Sequence, residues 1–444
     1  MLRGQSKIIL FIALMFVTQL FAQTPPLIAD SAARYLDQNG GVTADQAVAI
    51  ALVNNGELQA IRKEVEASRA MVKQAGLRAN PKVNASGAKQ IGGADNNQMA
   101  EVMLPLELGG RRAARIAVAQ KESEAREFEL ANQERLIAVD VRLKFGEALA
   151  AIKKLEVTEK TLAAAKQGFE LVGARVTEGK IAPLEQNVFL VEVNRLQSIR
   201  ETSEGKVETA MFELRNMIGM KPEEPLSLRG NFNNLIASTP SGSDSTNNAL
   251  RDRPDLQGAR TVEQLAAAKI EQAKSEGRIG ASVKTGYQRM NSSFPLSGYD
   301  DHGALRPIQD VFRFFTFGVE IDLPVLNRNQ GAVEAATFER QAAQRRVEFG
   351  ELTVRREVAT AFARYNRAAR SLSIFQNGVR EQANANLQVI WQTYELGARS
   401  LLDYIAEERR FLDVENELID AEFETYSANI DIMRATNAPE LTKK

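Results

Sequence analysis

The chain is written twice. Residues 54–62 read NNGELQAIR, and residues 252–260 read DRPDLQGAR. LPLELGGRRAAR at 104–115 returns as LPVLNRNQGAVE at 323–334, and EGKIAPLE at 178–185 returns as LGARSLLD at 396–403. Leu58 and Leu256 lie 198 positions apart, Pro105 and Pro324 219 apart, and Gly179 and Gly397 218 apart. Three landmarks in one order mark a tandem duplication. Two copies of so long a unit exclude a solenoid and point to one fold with internal pseudo-symmetry. The expected division is a signal peptide at 1–22, a first repeat at 23–220, a linker at 221–248, a second repeat at 249–436 and a short tail at 437–444.

Each repeat reads as the same series of elements. Thr43 is an N-cap ahead of AVAIALVNN, so a helix is expected from there to about Arg78, ending before Asn80-Pro81. Its counterpart spans residues 246–277. A strand pair follows at 83–89 and 98–106, joined by IGGADNN, a Gly- and Asn-rich turn. In the second repeat Phe315, Phe317, Val319, Ile321 and Leu323 alternate with Thr316, Gly318, Glu320 and Asp322, a period of two. Val283, Thr285 and Tyr287 form its weaker partner. The growth in offset places an insertion at 291–310, NSSFPLSGYDDHGALRPIQD, whose Gly, Pro, Ser and Asp content predicts a surface loop.

Long helices come next. Residues 112–176 contain no Pro, and at about 1.5 Å per residue they would extend about 95 Å. Val354, Val358, Phe362, Tyr365, Leu372, Phe375 and Val379 form a coiled-coil-like seam. Short breaks at 179–183 and 397–400 turn each long helix back on a second one, ending near Met217 and Arg434.

Composition removes most chemistry. There is no Cys, hence no disulfide, thiolate metal site or lipid-modified N-terminal Cys, and the single His is His302. No P-loop, dinucleotide fingerprint or nucleophile elbow is present, so an enzyme is the least expected class. Lys plus Arg number 56 against 57 Asp plus Glu, which gives no electrostatic case for nucleic acid. Arg3 and Lys7 precede an apolar run at 8–21 that ends at Ala22, the pattern of a secretory signal. An exported chain with strands of this length can cross a membrane by strands. Four strands cannot close a membrane barrel, for which about eight is the minimum, and lipid tolerates no open edge. Three chains would supply twelve strands above twelve helices.

The duplicated plan, with ELGGRRAARI, VLNRNQGAV and YELGARSLLD, resembles the TolC-like outer membrane efflux protein family, and most closely its CzcC-like heavy-metal branch. The resemblance spans about Thr43 to Arg434. It implies a mainly α fold with a membrane β part: a trimeric channel whose twelve-stranded barrel, four strands per chain, sits on a long periplasmic helical barrel. It further implies a passive exit duct, needing no cofactor, in the outer membrane of a Gram-negative-type cell. Its partners would be two further copies of itself, a periplasmic adaptor, an inner-membrane pump of the resistance-nodulation-division type, and lipid. Drug efflux or type I secretion remains open as the task of such a channel. A periplasmic coiled-coil scaffold without a pore is the reading from another class, and the two separate on whether the 315–323 strand faces lipid or helices.

The resemblance also assigns residues. The turns Gly179-Lys180-Ile181 and Gly397-Ala398 would meet the adaptor, while both glycines also serve as helix C-caps. Tyr394, Arg399 and Glu185 match the positions that link neighbouring helices and close the tip; an ordinary solvated ion pair is the plainer account of any one link. Asp403 matches one position of an acidic ring at the pore. Ala406 stands at the second, so half of the acidic pattern is missing, and whether Glu407 and Glu408, which follow, substitute for it stays open. Asp403 in the first turn of a helix also has a purely stabilising role. His302 beside Asp300 and Asp301 reads as a solvated loop rather than a metal site, and Trp391 as a packing residue.

Overall fold

The computed structural model describes residues 31–236 and 245–442. Residues 1–22, expected as a signal peptide, lie outside them. The order is α1 (Ala44–Asn54), α2 (Gly56–Ala75), β1 (Lys82–Lys89), β2 (Asn96–Leu106), α3 (Arg111–Thr177) and α4 (Pro183–Met217). A short α5 (Phe232–Ile236) is followed by α6 (Ser245–Asp252), α7 (Pro254–Glu276), β3 (Gly280–Tyr299), β4 (Leu305–Asp322), α8 (Gln330–Ile374), α9 (Arg380–Glu395) and α10 (Leu401–Thr436).

The opening helix of each half is broken, where a single helix was expected. Thr43 caps α1 in a reciprocal box: its Oγ accepts from the Gln46 N–H at 3.2 Å, and its own N–H donates to Gln46 at 2.9 Å. Asn55 then leaves the helix with ψ 121° and recaps the chain, its side chain accepting from Glu57 and Leu58 N–H. In the second half Pro254 forces the same break. It pushes Arg253 to ψ 124° and starts α7 at its first position.

α3 is continuous over 67 residues, about 100 Å. Gly109 and Gly110, at φ +70° and +80°, make the reversal from β2 into it. The arginines that follow fasten this junction. Arg112 and Arg115 donate to the carbonyls of Gly76, Ala75 and Leu77 at the end of α2. Arg111 donates to those of Ser275, Glu276 and Arg278 at the end of α7. The charged fork satisfies helix-end carbonyls that have no partner within their own helices.

Three apolar clusters hold the helices. The largest lies mid-length, around Phe145, Leu149, Ile152, Met211, Phe232 and Tyr426. Gly146 is required there, because a Cβ would lie 2.5 Å from the Tyr426 ring. The segment expected as a linker joins this core through Leu228 and Phe232, both fully buried. The C-terminal tail does so through Leu441, where Arg142 donates to the carbonyls of Glu440 and Leu441. A second cluster fills the helical tip, and a third joins α7, α8 and the end of α10. The anticipated seam of α8 is half realised. Val354, Val358 and Leu372 are buried, while Phe375 and Val379 fall in a π-helical turn that breaks the period.

The four strands form one antiparallel sheet in the order β1-β2-β3-β4. The expected loop at 291–310 is a correction: most of it is strand. β3 and β4 stay paired to Tyr299 and Leu305, with an irregularity between Ser293 and Ser297 that accommodates Pro295. Only 300–304 turn. Polar and Gly-rich composition does not forbid a strand when a partner strand supplies the hydrogen bonds.

The two faces differ sharply. Tyr287 pairs with Phe315, Thr285 with Phe317, Val283 with Val319 and Ala281 with Ile321. Val102 and Leu104 continue this apolar face on β2. The opposite face carries Glu101, Lys284 and Glu320, the last two ion-paired. Phe315 and Phe317 are 76% and 82% exposed, and among the described residues no helix packs over them. A scaffold would have buried this face on its helices. No helix among the described residues is long and apolar enough to cross a membrane.

Candidate functional site

The far ends of the long helices, about 100 Å from the sheet, converge in a four-helix tip. Both turns there are built alike. Gly179, at φ +71°, donates its N–H to Val176 O, and Lys180 donates to Arg175 O, each at 2.9 Å. Gly397, at φ +75°, donates to Tyr394 O, and Ala398 to Thr393 O, at the same distance. These are Schellman pairs, whose left-handed position favours Gly. The helices that leave them start differently. Pro183 begins α4. Ser400 begins α10 through a box with Asp403, whose carboxylate accepts from the Ser400 N–H at 3.1 Å and Oγ at 2.9 Å. Those bonds, with the nearby Arg399, hold the Asp403 carboxyl below its usual value.

A groove of about 630 Å³ runs between the turns, lined by Arg175, Lys180, Ile181, Glu185, Tyr394 and Arg399 among others. Tyr394 and Glu185, 209 positions apart, meet across it: the phenol donates to the carboxylate at 3.3 Å. Burial and the Glu185 charge raise the Tyr394 phenol above its ordinary value. Arg399 lines the same groove without an ion pair or hydrogen bond in this chain among the described residues. Asp403 is exposed, whereas Glu407, one turn on, is paired with Arg410 at 3.1 Å. Trp391 packs on the Tyr404 ring at 4.8 Å between centroids.

A charged cluster behind the groove escaped the sequence reading. Glu192 of α4 is 1% exposed and held by Arg195 and by Arg409 of α10, both at 2.5 Å. Burial raises its carboxyl, but the two guanidinium bonds outweigh this and the value ends below normal. Glu408 of α10 lies beside it, 3% exposed; Oε1 accepts from Tyr404 at 3.5 Å and Oε2 has no hydrogen-bond partner. Burial first, then the Glu192 charge, push this carboxyl up to about 7. The clue was available. Leu401, Tyr404, Ile405, Glu408 and Leu412 share one helical face, so the acid occupies an apolar slot.

Among the described residues no group of three metal-ligating side chains occurs. Asp300 instead organises its turn, accepting from the N–H groups of His302 and Ala304. The arrangement is a helical shaft, a jointed tip, and a sheet with one apolar face and, among the described residues, two unpaired edges.

Comparison with known proteins agrees. The outer membrane efflux protein family model matches residues 47–220 and 246–438. The cobalt-zinc-cadmium resistance protein CzcC of Cupriavidus metallidurans is 22% identical over 397 residues, 89% of this chain and 90% of that protein. The nickel-cobalt-cadmium resistance protein NccC of Alcaligenes xylosoxydans xylosoxydans is 24% identical over 279 residues, 62% of this chain and 57% of that protein. A crystal structure of the channel-forming CusC superimposes with a TM-score of 0.74 at 20% identity, covering 91% of this chain and 95% of that one. This fold is the TolC-like outer-membrane channel fold, mostly helical with a small antiparallel sheet. The protein is a channel component rather than an enzyme, with a large periplasmic helical part, and it belongs to the outer membrane efflux protein family.

Proposed function

We propose that this protein is the outer-membrane exit channel of a tripartite efflux pump for heavy-metal cations, acting as a passive conduit gated at its periplasmic tip. The observation that carries the pore is the sheet. Its apolar face is bare, its edges β1 and β4 are unpaired, and lipid tolerates neither an open edge nor an unsatisfied backbone. Pairing β4 of one copy with β1 of the next closes a twelve-stranded barrel from three chains. The names of the similar CzcC and NccC support metal cargo. A proton-driven inner-membrane pump of the resistance-nodulation-division type would supply energy, and a periplasmic adaptor would dock on the turns Gly179-Lys180-Ile181 and Gly397-Ala398. The Tyr394–Glu185 bond, with Arg399 reaching a neighbouring chain, would hold the tip closed. Asp403, repeated three times about the axis, would concentrate cations, with Glu407 behind it.

Planar-bilayer recording of the purified protein tests this. Discrete conductance steps, blocked by hexamminecobalt(III) from the periplasmic side and less so in Asp403→Ala, are the expected result. Steps indifferent to the cation in both proteins would remove the acidic ring. No steps from folded trimers would remove the pore.

A further inference from the structure

The register of the sheet sorts its polar face into two zones. Near the helices it presents charge and small residues: Glu320, Lys284 and Glu101, with Gly318 and Gly286 between them. Two rows further out the character changes. Phe314 aligns with Gln288 and Met99, and Phe312 with Met290 and Asn97. The rings of Phe312 and Phe314 lie nearly parallel at 6.2 Å, and Phe294 meets Phe312 edge-on at 6.2 Å. Three aromatic rings thus climb the face opposite to the lipid-facing Phe315 and Phe317. Phe314 and Phe312 lie level with the last residues of the shorter β1–β2 hairpin, and Phe294 lies beyond its end. A water-filled wall has no use for such a stack. Aromatic rings gain free energy by meeting other apolar groups, and on this face Met99 and Met290 supply them, so the stack extends into an apolar patch.

We propose that Phe294, Phe312 and Phe314, with Met290 and Met99, form an apolar collar inside the outer mouth of the pore that limits which solutes enter from outside. The inference rests on the reading of this sheet as a pore wall. Three copies place three stacks around one axis. The collar narrows the mouth, and as an apolar constriction it raises the barrier to hydrated solutes and to wide ones. The charged zone below it stays wet and accepts cations arriving from the tunnel.

The absence of Cys makes the test direct. Phe312→Cys and Phe315→Cys each give one thiol per chain. A membrane-impermeant, negatively charged methanethiosulfonate is added on the outer side during single-channel recording. Phe312→Cys should lose conductance in up to three steps, to about half or less, as a lumen-lining position does. Phe315→Cys should not change. Independently, Phe312→Ser combined with Phe314→Ser should raise conductance about twofold and admit larger polyethylene glycols from outside, as relief of an apolar constriction predicts. Modification that blocks Phe315→Cys but not Phe312→Cys, or an unchanged polymer cut-off in the double variant, overturns the collar. Wild-type protein without conductance steps overturns the pore reading instead, and the collar with it.

Discussion

Replacing Glu408 with Gln isolates one buried charge in the tip. The wild-type carboxyl sits near 7 against an ordinary 4.5, because burial and the adjacent Glu192 disfavour its ionised form. A displacement of that size corresponds to about 3 kcal/mol. The sign follows from which form the fold accepts. The neutral acid fits, so the penalty is absent below about pH 4.5, grows as pH rises toward 7 and is constant above. Glu192 titrates in the opposite sense, since its guanidinium partners lower it, and its contribution is lost on acidification. Glu192, held low by its guanidinium partners, stays ionised in the fold from pH 5 to pH 8 in both proteins, so over that window their difference reports the ionisation of Glu408, including its repulsion by Glu192. Hydrogen exchange of the amides at 186–200 and 400–412, corrected for intrinsic rates, is the assay. From pH 5 to pH 8 the wild type should lose roughly 50- to 100-fold of protection relative to the variant. Parallel pH profiles in the two proteins, or wild-type protection that gains on the variant as pH rises, would refute the reasoning.

Other consequences are as specific. Gly146→Ala drives a Cβ against Tyr426 in the main core and should destabilise by about 1–3 kcal/mol, read as a lower Tm with an unchanged fold by circular dichroism. Tyr394→Phe removes the bond to Glu185 at a cost of about 0.5–1.5 kcal/mol, and single-channel recording should show a higher open probability; an unchanged value would detach this bond from gating. Phe317→Arg places a charge on the bare apolar face and should cost about 2–4 kcal/mol in lipid or detergent, read by denaturant titration of the folded assembly.

Particular residues show how far sequence reasoning reaches. Thr43 and Gln46 announce their helix start, and Phe315 to Leu323 announce their strand, because each signal lies within a few residues of what it specifies. Pro254 carries an equally local signal for the break before α7, because its ring excludes the helical conformation at Arg253. The segment 291–310 misled. Its residues have turn chemistry, and only the partner strand makes them extended. The candidate tip was legible as two Gly turns and a set of positions. Which of those positions touch was not: Tyr394 reaches Glu185, Arg399 makes no hydrogen bond or ion pair among the described residues although its charge acts on Asp403, and Asp403 spends its carboxylate on Ser400.

The sequence by itself determined the duplication, the reach of the long helix over residues 112–176, the alternating face of the 315–323 strand and the two Gly turns of the tip. These depend on periodicity and on backbone preferences of near neighbours. The tertiary structure decided the Arg111, Arg112 and Arg115 junction, the Glu192–Arg409 pair, the burial of Glu408 beside Glu192 and the alignment of Phe312 with Met290. Those contacts join residues up to 217 positions apart. Their partners are set by how long helices pack and how strands register, and burial then sets the charge each group can carry.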